Sequence, residues 1–269
     1  LWKDDFERIA HSDAMESDSH RQEVVSQFTR QSRLFADHRA HSENRSLEVF
    51  RELGDFTGRE RVLDSGCGPG LVSCHLAPWV GEVVGADLTP AMLELGRSRA
   101  AERGLSNVTF VHGDMTSLPF AAGEFDVAIT RYAFHHLQNP RAAFAELVRV
   151  TKPGGRIMVL DATPEESKRE AYDAFERQRD SSHTSALTAP ELTSLGEADR
   201  LIAPEVRHFG LEMSAESLVA SSFPEGDDRQ QLLDLLTADV ETDHLSFQVR
   251  QEEAGMVITF PLTAAMWRR

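Results

Sequence analysis

The order of apolar and helical patterns along this chain predicts an α/β fold built on a doubly wound, mostly parallel sheet. Three observations carry the expectation. Between residues 61 and 161, five short runs rich in Val, Ile and Phe alternate with helical patterns, which implies parallel strands joined by right-handed crossovers. The first run leads into a glycine loop, Val62-Leu63-Asp64-Ser65-Gly66-Cys67-Gly68-Pro69-Gly70, which reads as a buried strand turning abruptly towards a helix. At 269 residues the chain is long enough for one large domain, with or without a cap, and two small independent domains are not expected.

From Asp13 to about His38, Val24, Phe28 and Phe35, with Val25 and Leu34 beside them, recur at helical spacing and predict an amphipathic helix ahead of the main fold. A second helical pattern, Leu47, Phe50 and Leu53, closes at Gly54 as its C′ residue. The strand candidates are Arg61 to Asp64, Glu82 to Asp87, Val108 to His112, Phe125 to Thr130 and Gly155 to Asp161. Thr89 as N-cap and Pro90 at N1 open the helix after the second strand, and Gly104 follows its end. Asn139 and Pro140 do the same after the fourth strand, and Lys152-Pro153-Gly154-Gly155 stops that helix.

After Asp161 the alternation ends. Thr163-Pro164-Glu165-Glu166 reads as a capping box opening a helix through Tyr172 and Phe175 to about Arg179. A polar stretch from Asp180 to Thr188 precedes a short helix around Pro190 to Leu195. Strand patterns return at Glu205 to Phe209, at Ser246 to Arg250, at Met256 to Phe260, and in a last run to Trp267; Glu252 to Gly255 reads as a hairpin turn. There is no internal repeat, low-complexity tract or Pro-rich linker, and everything after Asp161 is expected to cover the open edge of the sheet.

Composition excludes several classes of function. Lys plus Arg number 28 against 44 Asp plus Glu, so a formal charge of −16 repels polyanions; the longest basic runs are pairs, and no nucleic-acid partner is expected. Cys67 and Cys74 form no metal-type cluster with His and read as small buried residues of a reducing compartment, so no metal is expected. The first twenty residues carry no apolar core of signal-peptide length, and no stretch approaches a membrane span; a cytoplasmic protein without membrane contact is the expectation. The chain begins at Leu1 rather than Met, and residues ahead of it are expected.

Strand ends on the carboxyl side of a doubly wound sheet converge on one crevice. Here they bring together Asp64 with the glycines, Asp87, Gly113-Asp114-Met115, and Arg131-Tyr132. Asp87, about twenty residues past the glycines, is placed to accept from a ribose diol, each charge-assisted bond being worth roughly 1.5–3 kcal/mol. Gly66-Cys67-Gly68-Pro69-Gly70 brings its third glycine one position earlier than G-x-G-x-x-G, which disfavours a nicotinamide dinucleotide.

Five stretches, VLDSGCGPG, VVGADLTPAML, VTFVHGDMTSLPF, EFDVAITRYAFHHLQNP and ELVRVTKPGGRIMVLD, span Val62 to Asp161 in one order. Together they resemble class I S-adenosylmethionine-dependent methyltransferases, nearest the UbiE-like small-molecule branch. The resemblance implies a Rossmann-like, mostly parallel seven-stranded sheet with an antiparallel last strand. It also implies N-terminal helices over the cofactor site in residues 1–58, a cofactor-binding core in 59–162, and a cap with the final strands in 163–269. The implied cofactor is S-adenosyl-L-methionine, leaving as S-adenosyl-L-homocysteine, and the partner is a small-molecule methyl acceptor; the protein is a monomer or homodimer.

Residue by residue, the resemblance brings the backbone of Gly66, Cys67 and Gly68 to the methionine part of the cofactor, with Asp64 orienting the loop or holding the amino group. It puts Asp87 on the ribose, Leu88 against the adenine, Asp114 on the adenine amino group and Met115 on the ring. Phe28 and Arg30 match cofactor-contacting positions, and Arg131 joins the same wall. His135 and His136, with Tyr132 beside them, line the methyl-transfer site, where histidine suits a general base. Arg179 and His183, in the stretch Arg177 to His183, are expected to close over a polar or anionic substrate or to form a solvated linker; Asp161 contacts substrate or ends its strand. The amino-methylating motif of DNA enzymes and the Pro-Cys pair of cytosine enzymes are absent, which leaves a nucleic-acid methyltransferase as the lesser alternative. A methyltransferase fold that binds the cofactor for cyclisation or for binding alone stays open.

Overall fold

The computed structural model describes residues 18–32, 44–221 and 228–269. A helix over residues 18–32 (α1) is followed by α2 (Asn44–Gly54), β1 (Arg61–Ser65), α3 (Leu71–Leu76), β2 (Glu82–Asp87), α4 (Pro90–Glu102), β3 (Val108–His112) and β4 (Phe125–Arg131). Then come α5 (Pro140–Val150), β5 (Thr151–Ala162), α6 (Arg169–Arg179), α7 (Ala189–Thr193), β6 (Glu205–Ser214), α8 (Ala215–Ala220), α9 (Asp228–Asp239), β7 (Arg250–Glu252) and β8 (Gly255–Arg268). The rest of the expected first helix, residues 13–17 and 33–38, lies outside the described residues.

The strands form one sheet in the order β3-β2-β1-β4-β5-β8-β6, with β7 a short hairpin partner of β8. β1 to β5 are parallel, and β8 runs antiparallel between β5 and β6. Alternate positions serve opposite faces: Val62, Val83 and Ile129 pack with α2 and the helices after β5, whereas Leu63, Val84 and Ala128 pack with α5. Both faces are buried, which is why these strands read as continuous apolar runs rather than alternating ones. The strand order reverses between β1 and β4, and the crevice above their carboxyl ends is where the chain has room for a ligand.

Local chemistry departs from the sequence reading in a few places. Gly54 is not the left-handed residue; Asp55 takes that conformation (φ 42°), and Gly54 is needed because a Cβ there would lie 2.2 Å from the Phe56 ring. Thr163 forms no capping box. Its hydroxyl meets that of Thr263 at 2.6 Å and its N–H donates to Pro261, so α6 opens instead through a 3-10 turn at Glu166–Lys168. The reciprocal capping box of this region belongs to Thr188 and Glu191 at α7. Lys152 to Gly155 lie inside β5, where the pairing jumps from Phe125↔Thr151 to Val127↔Arg156. The runs at Met256 to Phe260 and on to Trp267 are one strand, β8, and α8 and α9 were not expected from the sequence.

Candidate functional site

A cavity of about 420 Å³ opens at the carboxyl ends of β1, β2 and β4, walled by the glycine loop on one side and by α6, β6 and β8 on the other. The loop holds Gly66, Gly68 and Gly70 at φ 67°, 50° and 72°, left-handed values that cost an L side chain about 1–2 kcal/mol each. Its donors are spoken for: the N–H groups of Gly66 and Cys67 both donate to Ala86, that of Gly70 to Cys67, and that of Gly68 to the Asp87 carboxylate at 2.7 Å. A phosphate cradle needs free N–H groups. This loop therefore offers carbonyl oxygens and open space, since a Cβ on Gly68 would meet nothing within 4 Å, and such a surface suits a cation rather than an anion. The Cys67 thiol turns into the core beside Cys74 and Phe110, where burial pushes its pKa well up and keeps it protonated.

Two carboxylates at the loop are short of donors. Asp87 takes one backbone N–H on each oxygen, from Gly68 and from Thr89 at 2.8 Å. Burial still outweighs these bonds and raises its pKa, so each oxygen has reason to accept a further donor such as a ribose hydroxyl. Asp64, 1% exposed, has Ser73 as its hydrogen-bonding partner at 2.6 Å among the described residues, and burial drives its pKa up to about 6. A cationic amino group beside it would restore the charged form. Both observations fit an aminoacyl nucleoside. Leu88 and Met115 line the same wall, with the Met115 sulfur 3.6 Å from where a Gly66 Cβ would stand. Asp114 is engaged on both oxygens: Oδ1 by the backbone and hydroxyl of Thr116, Oδ2 by Arg21 of α1 at 2.8 Å, so an adenine amino group would share Oδ2 with Arg21.

At the far end β4 runs out into Tyr132, held at φ 53°, and a 3-10 turn, Phe134–His136. Arg131 lies over the Tyr132 ring at 4.8 Å and donates to Ser46 of α2. His135 Nδ1 is 2.6 Å from Asp161 Oδ1, and Asp161 also accepts from the backbones of Phe134 and Ala162. Burial disfavours the Asp161 charge, but His135 and the two N–H groups win, and its pKa is lowered. Burial likewise opposes a charged His135; the Asp161 carboxylate outweighs it and the net shift is upward. Asp161 therefore fixes the Nδ1–H tautomer of neutral His135 and leaves Nε2 as the basic nitrogen. His136 behaves oppositely: burial and its neighbour His135 lower its pKa to about 3.

The structure brings Phe28, Asp64, Gly66, Cys67, Gly68, Asp87, Leu88, Asp114, Met115, Arg131, Tyr132, His135, His136 and Arg179 onto one cavity wall. Two expected residues stand off it. Arg30 is exposed and bonded to Gln27, and His183 is buried behind the wall, its Nε2 on Asp173 at 2.7 Å. The stretch after Arg177 is not a solvated linker: Asp180, Ser182 and His183 are buried, and Thr184 donates to His135 and Leu137. Sequence reasoning missed Arg21 and Gln31 of α1, Tyr172 and Glu176 of α6, and the apolar wall of Leu211, Met213, Leu218, Phe260 and Leu262. These come from elements far apart in the chain, and no local pattern marks them. Among the described residues, no group of three or more His, Cys, Asp or Glu is placed to hold a metal ion, and no helix is long and apolar enough to cross a membrane.

Comparison with known proteins agrees with this geometry. The family described as "Methyltransferase domain" matches residues 63–159. The chain is 28% identical over 241 residues to the uncharacterized methyltransferase YcgJ of Bacillus subtilis, covering 89% of this chain and 95% of that one. The YcgJ crystal structure matches with a TM-score of 0.77 at 26% identity, over 84% of this chain and 99% of that one. Phosphoethanolamine N-methyltransferase 2 of Haemonchus contortus, solved with S-adenosyl-L-methionine, shares the fold alone (TM-score 0.62, 16% identity, 84% of this chain and 52% of that one). The ubiquinone/menaquinone biosynthesis C-methyltransferase UbiE of Pseudomonas putida is 31% identical over 179 residues, 64% of this chain and 68% of UbiE. A match of that identity across two thirds of UbiE, together with the matched methyltransferase domain and the YcgJ-like fold, decides the assignment: the chain belongs to the class I S-adenosylmethionine-dependent methyltransferases, among their small-molecule enzymes.

Proposed function

We propose that the enzyme methylates a protonated oxygen, nitrogen or sulfur, or an acidic carbon, on an acceptor with an apolar body, using His135 as the general base. The observation that carries this reading is the continuity of one cavity from Asp87 and the glycine loop to the His135–Asp161 pair. Bound S-adenosylmethionine supplies an already activated methyl group and leaves as S-adenosylhomocysteine.

The chain's own residues then have three tasks. Asp87 and Asp64 would hold the ribose and amino ends, and Leu88, Met115 and Asp114 would hold the base, in the cavity that continues to the histidines. Leu211, Met213, Leu218, Phe260 and Leu262 receive the apolar body of the acceptor, and alignment by such a wall supplies several kcal/mol of the barrier. Nε2 of His135 takes the acceptor's proton, and the Asp161 carboxylate stabilises the imidazolium that forms. In this division α1 and α2 close over the cofactor, residues 59–162 hold it, and the described elements after residue 162 supply the cap over the acceptor and the final sheet strands.

The test is transfer of a labelled methyl group from the cofactor into fractionated small metabolites, with the product identified by mass spectrometry. His135→Ala should then lower turnover by about 10²–10⁴-fold while calorimetric cofactor affinity stays put. Unchanged turnover removes His135 as base. Cofactor binding with no label in any fraction favours a non-methylating role.

A further inference from the structure

The stretch Asp180 to His183 follows α6 and returns under the 3-10 turn that carries the two histidines. Asp180 gathers it: Oδ1 accepts the hydroxyl of Ser182 at 2.5 Å and its N–H at 3.0 Å, and Oδ2 accepts Gln31 of α1 at 2.9 Å. His136 Nδ1 then lies 3.1 Å from the Ser182 hydroxyl and 3.2 Å from the Ser182 carbonyl.

The protons in this cluster can be placed by elimination. Asp180 is ionised; burial works against its charge, but the Arg179 guanidinium and the hydrogen bonds from Ser182 hold its pKa below the usual carboxylate range. The Ser182 proton therefore points at Asp180, and the Ser182 oxygen is left as an acceptor towards His136. The Ser182 carbonyl can do nothing but accept. Both neighbours of Nδ1 demand a proton on it, so in the neutral ring Nε2 carries the lone pair. Nε2 has no hydrogen-bonding partner among the described residues, and His136 lies on the cavity wall.

We propose that Asp180 and Ser182 lock the Nδ1–H tautomer of His136, and that its Nε2 is a fixed hydrogen-bond acceptor selecting acceptor molecules that present an O–H or N–H group. This rests on the methyl-transfer reading above and divides the work of the histidine pair. His135, tied directly to a carboxylate, takes up the proton. His136, tied through a serine hydroxyl, stays neutral and draws in the group that gives it: an amino group can donate one N–H to each Nε2, and a hydroxyl, which has one proton, turns it from His136 to His135 before transfer. The charged and titratable neighbours of His136 are His135 on its own turn, Asp180 and His183 from the segment after α6, and His20 of α1, which donates to the His136 carbonyl at 2.7 Å. Phe28 of α1 closes the remaining side, edge-on at 5.0 Å. An acceptor covered by a bound molecule and left unpaired is costly, so an ether in place of a hydroxyl loses binding through the unsatisfied nitrogen as well as through the missing bond.

The tautomer is read without turnover, so a failure here is distinguishable from failure of the methyl-transfer reading. Nitrogen-15 NMR of histidine-labelled protein with S-adenosylhomocysteine at neutral pH, assigned by the signal missing in His136→Gln, should show a protonated Nδ1 and an unprotonated Nε2. Ser182→Ala removes the hydroxyl and leaves the carbonyl, and should admit a measurable Nε2–H fraction; Ser182→Thr should keep the wild-type pattern. Titrated phenol should shift the Nε2 resonance, and anisole, its ether analogue, should not. A wild-type Nε2–H ring, or no change in Ser182→Ala, overturns the lock. Equal response to phenol and anisole, or none to either, overturns the selection.

Discussion

Asp64 shows how one side chain can link cofactor binding to pH. Its folded pKa of about 6 lies above the unfolded value of about 3.9, so the native state holds the proton more tightly. The resulting stabilisation is present below about pH 4 and is lost as pH rises through about 6. A bound ammonium group reverses the preference, and below pH 6 it must first expel that proton, at about 1.4 kcal/mol per pH unit. Asp87 and Arg131 also act on Asp64, the first raising and the second lowering its pKa, but neither removes the burial that dominates. Affinity for S-adenosylmethionine should therefore rise about five-fold from pH 5 to 6 and about ten-fold from pH 5 to 7, then level off, with protons released on binding at the lower pH. Calorimetry in buffers of unlike ionisation heat measures both quantities, and a flat binding constant would show that Asp64 does not hold the ammonium.

Among the elements, α4 is held to the sheet by an arrangement in which three glycines surround one ring. Cβ atoms built on Gly70, Gly85 and Gly96 would all come within 2.6–2.8 Å of Phe110. Gly96→Ala sets two effects against each other: helix propensity gains about 1 kcal/mol, and overpacking costs about 1–3 kcal/mol. With the contact at 2.6 Å and Phe110 8% exposed, the ring has little room to yield, so the variant should unfold at lower temperature than wild type. A raised melting temperature would mean the ring moves freely. The same scale explains what was legible. β1 to β5 could be read because each is a short apolar run closed by a turn or cap; topology then carried Asp64, Asp87, Asp114 and Arg131 to one crevice, and the family resemblance added the histidines. α9 could not: Leu232, Leu233, Leu235 and Leu236 scatter apolar side chains around the helix, and Leu235 is 43% exposed. β8 looked like two strands because Pro261 interrupts it. That proline falls just beyond Leu262, where the ladder with β5 ends, and faces Gly210 of β6. The apolar wall of the cavity stayed hidden for a related reason, since Leu211 and Phe260 are neighbours across β6 and β8 and nothing in the sequence says so.

For the whole molecule, the formal charge of −16 bears on the two forms of the cofactor unequally. S-adenosylmethionine carries one net positive charge at neutral pH, from its sulfonium; S-adenosylhomocysteine carries none. The cavity repeats the bias locally, with Asp64, Asp87 and Asp114 at the cofactor end facing Arg21 and Arg131. The field of the chain therefore attracts the donor and is indifferent to the spent product, a distinction that shape cannot make because the two differ by one methyl group. Salt tests this directly, because the screening length falls from about 10 Å at 0.1 M to about 3 Å at 1 M. Raising sodium chloride over that range should weaken S-adenosylmethionine binding by a larger factor than S-adenosylhomocysteine binding, moving their affinity ratio towards the product. Titration of both ligands in one buffer series measures the ratio. A ratio that does not move with salt would mean that contacts at the sulfur, rather than the charge of the molecule, distinguish donor from product.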